Sequence, residues 1–330
     1  KFTPSFALAA LTSLAVAAPH DIVNKRAVAS GPVGYASTNG ATTTVSTLAQ
    51  FTKAATAKEP TVVYISGKIT GNDKVRVSSD TSIIGLNSDS ALENIGLFVN
   101  KVENVILRNF KSSKVLAKNG DAIGIQASKN VWADHLDLSS DLDHGKDYYD
   151  GLLDVTHASE WVTISNVFFH DHYSEVFVYT HSLNHLANFH LNGSLVGHSD
   201  NNAAEDTGHL HVTYANNYFS NVSSRLPSIR FGTGHIFNNY YENVLSSAVD
   251  TRDGAQVLVE SNVFVKAKKP VASLYSDDQG YAVVKDNDFG GEKNEAPAGT
   301  LTKVPYTYTA LGSAKVKAAV VGTAGNTLKF

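Results

Sequence analysis

From Thr61 onward the chain repeats itself. The runs "TVVYIS", "TSIIGL", "NVILRNF", "NVWADHLDL", "WVTISNVFF", "HVTYANNYF", "HIFNNYY", "QVLVESNVF" and "YAVVKDNDF" follow one another. In each, β-branched and aromatic residues alternate with polar ones, which is the strand pattern. One apolar position followed through them (Val63, Ile83, Val105, Val131, Val162, Val212, Ile236, Val257, Val283) gives steps of 20, 22, 26, 31, 50, 24, 21 and 26 residues. A strand-rich unit of this period cannot bury its apolar row alone, and stacking successive units does so. The repeat predicts an all-β chain folded as a parallel β-helix. A β-sandwich or barrel, the alternative, would show hairpin turns about every 8–12 residues, and the spacing here is longer and uneven. Asn109, Asn166, Asn217, Asn239 and Asn262 follow the runs and are expected to ladder from coil to coil. The helical pattern of Val45 to Ala57 predicts a short N-terminal helix that caps the open end of the solenoid.

One step, 50, is out of line. It contains Tyr173 to Asn192, "YSEVFVYTHSLNHLANFHLN". This segment reads as an insertion at 173–192 into a single coil.

The chain has 330 residues, 42% hydrophobic and 18% charged, enough for a sizeable core in one or two domains. Its net charge of −4, with no basic block, gives nucleic-acid binding no electrostatic support. Residues 1–18 read as a signal peptide: a lysine, then the apolar run Phe6 to Ala18, ending in small residues. Asn24 to Arg26 reads as a dibasic processing site closing a pro-segment at 19–26, and 27–330 as a single parallel β-helix domain. No apolar run reaches membrane-spanning length, so a secreted, extracellular, monomeric protein is expected. With no cysteine, its stability must come from a large regular core. Asn192-Gly-Ser and Asn221-Val-Ser are glycosylation sequons.

Gly120 to Trp132 and Tyr149 to Val162 occupy the same place in successive coils. Asp121 is expected beside Asp150, with strands about 4.8 Å apart. Asp154, four residues beyond Asp150, would share its face. Three carboxylates on one outer surface repel unless a cation neutralises them. Oxygen ligands suit a hard cation, calcium first. The histidines His135, His144, His157, His170 and His172 leave a transition-metal site as the alternative. Of these, His170 and His172 are two apart and would face the same way on a strand. In "SSRLPSIRFG" (Ser223 to Gly232), Arg225 and Arg230 bracket Pro227; alone they could be surface cations beside a turn.

The stretches Asn130 to Ser140, Asp143 to Ser165, Gly197 to Asn202 and Ser224 to Tyr241 resemble secreted fungal pectate lyases of polysaccharide lyase family 1. The resemblance runs from about Gly31 to Phe330, apart from Tyr173 to Asn192. It implies a right-handed parallel β-helix that cleaves polygalacturonate by calcium-dependent β-elimination. By the same likeness, Asp121, Asp150 and Asp154 match the calcium-binding acids, Arg225 the catalytic base and Arg230 a substrate-binding arginine. Asn119 sits where some members have a further acid. The family's substrate-binding lysine is replaced by Tyr173 to Asn192, and no lysine occurs from Asp147 to Val265. That departure leaves open a catalytically impaired or glycan-binding β-helix. A pectin lyase would lack the calcium acids. A polygalacturonase would need an acid–base carboxylate pair and an Arg-Ile-Lys motif, which is absent.

Overall fold

The computed structural model describes residues 41–145, 147–172 and 192–330. The expected signal and pro-segment, residues 27–40 and all of the insertion except Asn192 lie outside the described residues.

Ten strands stack into one sheet, in the order Ala41–Val45, Thr61–Ile65, Thr81–Gly85, Glu103–Arg108, Lys129–Asp134, Glu160–Ser165, His211–Ala215, Thr233–Phe237, Gln256–Glu260 and Tyr281–Lys285. Each neighbouring pair is parallel and successive in the repeat, as a β-helix requires. After this sheet the chain turns into a second face: Lys111–Ser113, Asp137–Ser139, Phe168–His172 and Tyr218–Val222. A third face holds Ile123–Gln126, Leu153–Thr156, Leu195–Val196 and Ser228–Arg230. Long bent strands, Lys68–Val77, Ala91–Asn100, Tyr240–Arg252 and Val263–Ala272, join the second and third faces. Among the described residues, no helix is long and apolar enough to cross a membrane.

The runs "TVVYIS", "TSIIGL" and "YAVVKDNDF" each hold a single strand, whereas those between Asn130 and Phe264 prove to be two strands with a corner between them, and Asn109 makes the same corner between Glu103–Arg108 and Lys111–Ser113. The corner residue is left-handed: φ is 59° at Asn109, 49° at His135, 52° at Asn166 and 57° at both Asn216 and Asn238. Asparagine tolerates this conformation better than most residues. That divides the expected ladder. Asn109 and Asn166 are corner residues, one position early. The ladder itself begins at Asn217, whose Nδ2 donates to Asn239 Oδ1 at 3.0 Å. It continues from Asn239 to Asn262 at 2.9 Å and from Asn262 to Asn287 at 3.0 Å. Below it, Val167 donates its backbone N–H to Asn217 Oδ1. Beside the ladder an aromatic column runs Phe169, Phe219, Tyr241, Phe264, with ring centroids 4.7, 4.7 and 4.5 Å apart.

The inward row also differs from the simple count. Ile83 pairs with Leu107, not Val105, and Val212 with Gly234, not Ile236. Both shifts are of two residues, so the face is preserved. Val283 is one residue off: Val257 pairs with Ala282, which is buried, and Val283 faces outward. The capping helix is Leu48–Ala55, shorter than expected because Val45 belongs to the first strand. Thr47 Oγ1 caps it by accepting from Gln50 N–H at 3.3 Å, and Phe51, Ala54 and Ala55 are buried against the core.

Two strands place the insertion. His172 pairs with Val222, and Asn192 bridges to Ser224. The neighbouring coil thus advances two residues where this one advances twenty, a net insertion of eighteen.

Candidate active site

The third face carries the carboxylates. Ile123 pairs with Leu153 and Asp154 with Gly124. Continuing that register sets Asp121 opposite Gly151, not opposite Asp150 as the sequence alignment suggests. The carboxylates meet nonetheless: Gly151 N–H donates to Asp121 Oδ1 at 3.1 Å and to Asp150 Oδ1 at 3.0 Å. A Cβ built on Gly151 would lie 2.7 Å from Asp154 Oδ1 and 2.9 Å from Asp121 Oδ1. Glycine is therefore what lets the acids close together. They do not share one outer surface. Asp150 is exposed in the turn, Asp121 half-buried, and Asp154 buried, with its Oδ1 accepting from Leu195 N–H at 2.9 Å. Asn119 is held apart by donating to Asn72 and Asn94.

Burial, reinforced by the Asp150 charge and opposed by Lys74, pushes the Asp121 carboxyl up to about 7. Burial, then the Asp121 charge, pushes Asp154 well above the carboxylate range. Among the described residues no three His, Asp or Glu side chains form a ready-made metal cage. The chemistry of the donors is that of a hard-cation ligand set: Asp121 and Asp154 crowd around Gly151, each is pushed up by burial and then by a neighbouring carboxylate, and a positive ion would relieve both burial and repulsion.

The histidines do not assemble. Asp171 (φ 47°) breaks the alternation, so His170 and His172 part. His170 contacts Asp137 and Asp171, whereas His172 is buried against Ser140 Oγ at 2.7 Å. His135, His144 and His157 each pair with an acid: Asp134, Asp141 and Glu205.

Arg225, also left-handed at φ 60°, follows the Tyr218–Val222 strand. Its Nη1 donates to Asn192 Oδ1 at 2.5 Å, and its guanidinium lies 5.4 Å from the Tyr275 ring centre. Its buried Nε has no partner among the described residues. Burial, then the charge of Arg230, holds its guanidinium below the usual arginine range, while Asp250 opposes. Arg230 is buried; its Nε bonds Asp200 and its Nη1 donates to Gly197 O at 2.7 Å. The sequence analysis missed a third arginine. Arg252 donates to Ser276 Oγ at 2.8 Å, Tyr275 O at 2.6 Å and Asp200 Oδ1 at 3.3 Å. Its pKa is lowered to about 10 by burial and then by Arg230; its Nε and Nη2 are committed to the scaffold, while its buried Nη1 has no partner among the described residues. Asp200 stood inside a quoted motif; nothing in "DTRDG" marked Arg252. Of the sequon asparagines, Asn221 donates from Nδ2 to Asp171 Oδ1 at 3.1 Å, and Asn192 is the Arg225 contact. Among the described residues, cavities away from this site include one of about 40 Å³ beside Trp161 and Tyr306 and a groove of about 560 Å³ between Lys101 and His209.

Asp250 is fully buried, accepts from Ser247 Oγ at 2.7 Å, and is pushed up to about 7 by burial. The folded chain keeps this proton through a range where the unfolded chain has lost it. Its contribution therefore stabilises below about pH 4 and is lost as pH rises toward 7, by up to about 4 kcal/mol. Asp250→Asn is expected to remove that loss. Urea unfolding in chelator at pH 5 and pH 7.5 should show a flatter dependence in the variant; parallel slopes would refute it.

Residues 6–188 and 176–328 match the pectate lyase family, and the two stretches meet at 176–188, inside the inserted segment. The chain belongs to the pectate lyase family, a family of polysaccharide lyases. It is 57% identical to a probable pectate lyase A of Aspergillus fumigatus, covering 100% of both chains. It is 59% identical to pectate lyase B of Colletotrichum gloeosporioides over 86% of this chain and 80% of that protein. Among solved structures it resembles a pectate lyase from Bacillus sp. N165 in complex with trigalacturonate, with TM-score 0.74 and 30% identity over 89% of this chain and 98% of that one.

Proposed function

We propose that this chain is a secreted pectate lyase that cleaves (1→4)-α-D-galacturonan by β-elimination, giving 4,5-unsaturated oligogalacturonides. The observation that carries the reading is the gathering of Asp121, Asp150 and Asp154 near a suppressed arginine, Arg225, whose charge reaches Asp154. In this reading Asp121, Asp150 and Asp154 hold calcium, which when bound acidifies the C5 proton by drawing charge from the C6 carboxylate. Arg225 takes the C5 proton, the C4–O bond breaks, C4=C5 forms, and the leaving oxygen is protonated. Arg225 suits the role because its Nε has no partner among the described residues, and burial and then the Arg230 charge lower the cost of losing a proton, about 1.36 kcal/mol per unit. Arg230, oriented by Asp200, clamps a substrate carboxylate. Because the base is a neutral guanidine, the rate should rise with pH into the alkaline range.

A second reading has its own observation. Asn192 ties down Arg225 and stands where the family resemblance sets a lysine, which fits an impaired or purely glycan-binding β-helix. Ultraviolet detection of unsaturated product from polygalacturonate, with calcium and with chelator, separates the two.

Asp154→Asn is expected to weaken calcium binding at least tenfold while the solenoid stays folded, since it removes a buried charged ligand but keeps the Leu195 acceptor. Calorimetry showing unchanged affinity would remove Asp154 from the metal site.

A further inference from the structure

On the third face, Arg76 pairs with Phe98, Phe98 with Gly124, and Gly124 with Asp154. A row of outward side chains therefore runs from two cations to the carboxylate cluster. Lys74 and Arg76, two apart on the Lys68–Val77 strand, point the same way. Both are exposed, and both sit on the half-buried Phe98 ring: Lys74 Nζ at 4.3 Å and the Arg76 guanidinium carbon at 4.9 Å from its centre. Among the described residues neither forms a salt bridge, unlike Lys68, whose Nζ lies 2.6 Å from Glu93 on the same strand pair; the Lys74 charge is felt at longer range by Asp121, and Arg76 lies farther along the row. Two like charges held on one ring repel, and an anion between them relieves that cost. Gly124 brings no side chain of its own between Phe98 and Asp154; a Cβ there would lie 3.2 Å from Asp121 Oδ2 and 3.7 Å from the Phe98 ring, so the ring and the carboxylate cluster adjoin.

We infer that Lys74 and Arg76, positioned by Phe98, form a distal subsite for a uronate carboxylate of a polyanionic glycan lying across the strands. The inference rests on the galacturonan reading above. Arg76 to Ser228, beside Arg225, is five strand steps, about 24 Å at the usual spacing. The subsite therefore serves a long saccharide and is out of reach of a short one bound at Arg225. Phe98 acts through the two cations and is a positioning residue.

The test is calorimetric titration of the full chain with saturated trigalacturonate and hexagalacturonate in calcium, which needs no turnover. Lys74→Gln with Arg76→Gln should weaken hexagalacturonate binding about tenfold, as expected for two charge-assisted contacts, and leave trigalacturonate within about twofold. The unaltered chain's preference for the longer saccharide should also shrink with added salt. Phe98→Leu, which keeps both charges but frees them, should give a smaller loss in the same sense. Unchanged hexagalacturonate affinity, or equal losses for both saccharides, would overturn the subsite. Absence of binding of either saccharide by the unaltered chain would instead overturn the reading of the face as a galacturonan site.

Discussion

Arg225→Lys is expected to lower unsaturated-product formation by at least about a thousandfold, in the range of a lost general base. Charge is not the reason, since lysine is cationic too and has the lower ordinary pKa. What changes is geometry. The planar fork that reaches Asn192 and faces Tyr275 is replaced by a single amine on a flexible stem. Saturated oligogalacturonate should bind the variant nearly as before, because Arg230 and Arg252 keep their bonds to Asp200. Near-normal turnover by the lysine variant would transfer the role to another group.

Replacing Tyr173–Asn192 by Trp-Lys is expected to raise elimination by about a hundred- to a thousandfold, the range for one charge-stabilising contact in a transition state that gains negative charge. The gap between His172 and Gly193 then holds two residues, as the gap between Val222 and Arg225 does. The new lysine takes the register position of Asn192, opposite Ser224. The change also removes the amide that holds Arg225 Nη1 and adds a cation that further lowers the arginine's pKa. Asn192→Lys in the otherwise unchanged chain separates these effects: a gain there would come from the lysine and the freed guanidinium. Initial rates on polygalacturonate, measured after both proteins are confirmed folded, decide the matter. Equal rates for all three chains would make the segment a tolerated surface loop.

The solenoid was legible because burying a β-branched row at each turn forces a period, and a period survives uncertainty in any one strand. Register was less legible. Coils differ in length at their corners, so an alignment of Asp121 with Asp150 misses by one residue. The contact they share, the Gly151 N–H, belongs to neither. His170 and His172 parted for a similar reason: a single left-handed residue, Asp171, resets the alternation. Arg252 was invisible because its partners Asp200 and Ser276 come from other coils, and no spacing within a coil encodes them. The family likeness marked Arg225 and Arg230 but carried no sign that Asn192 would reach the guanidinium.

The amide column from Asn217 to Asn287 works as a gauge on chain length. Each rung must present its oxygen to the amide before it, so one residue added between a rung and its strand would break two bonds and misalign every coil beyond. Successive rungs are 22, 23 and 25 residues apart, so added chain enters in the loops away from the rung and its strand. The eighteen extra residues do so, between the apolar step at Val167 and the first amide at Asn217. A fold this strict about its rungs leaves its loops, the one beside Arg225 among them, as places where length is free to change.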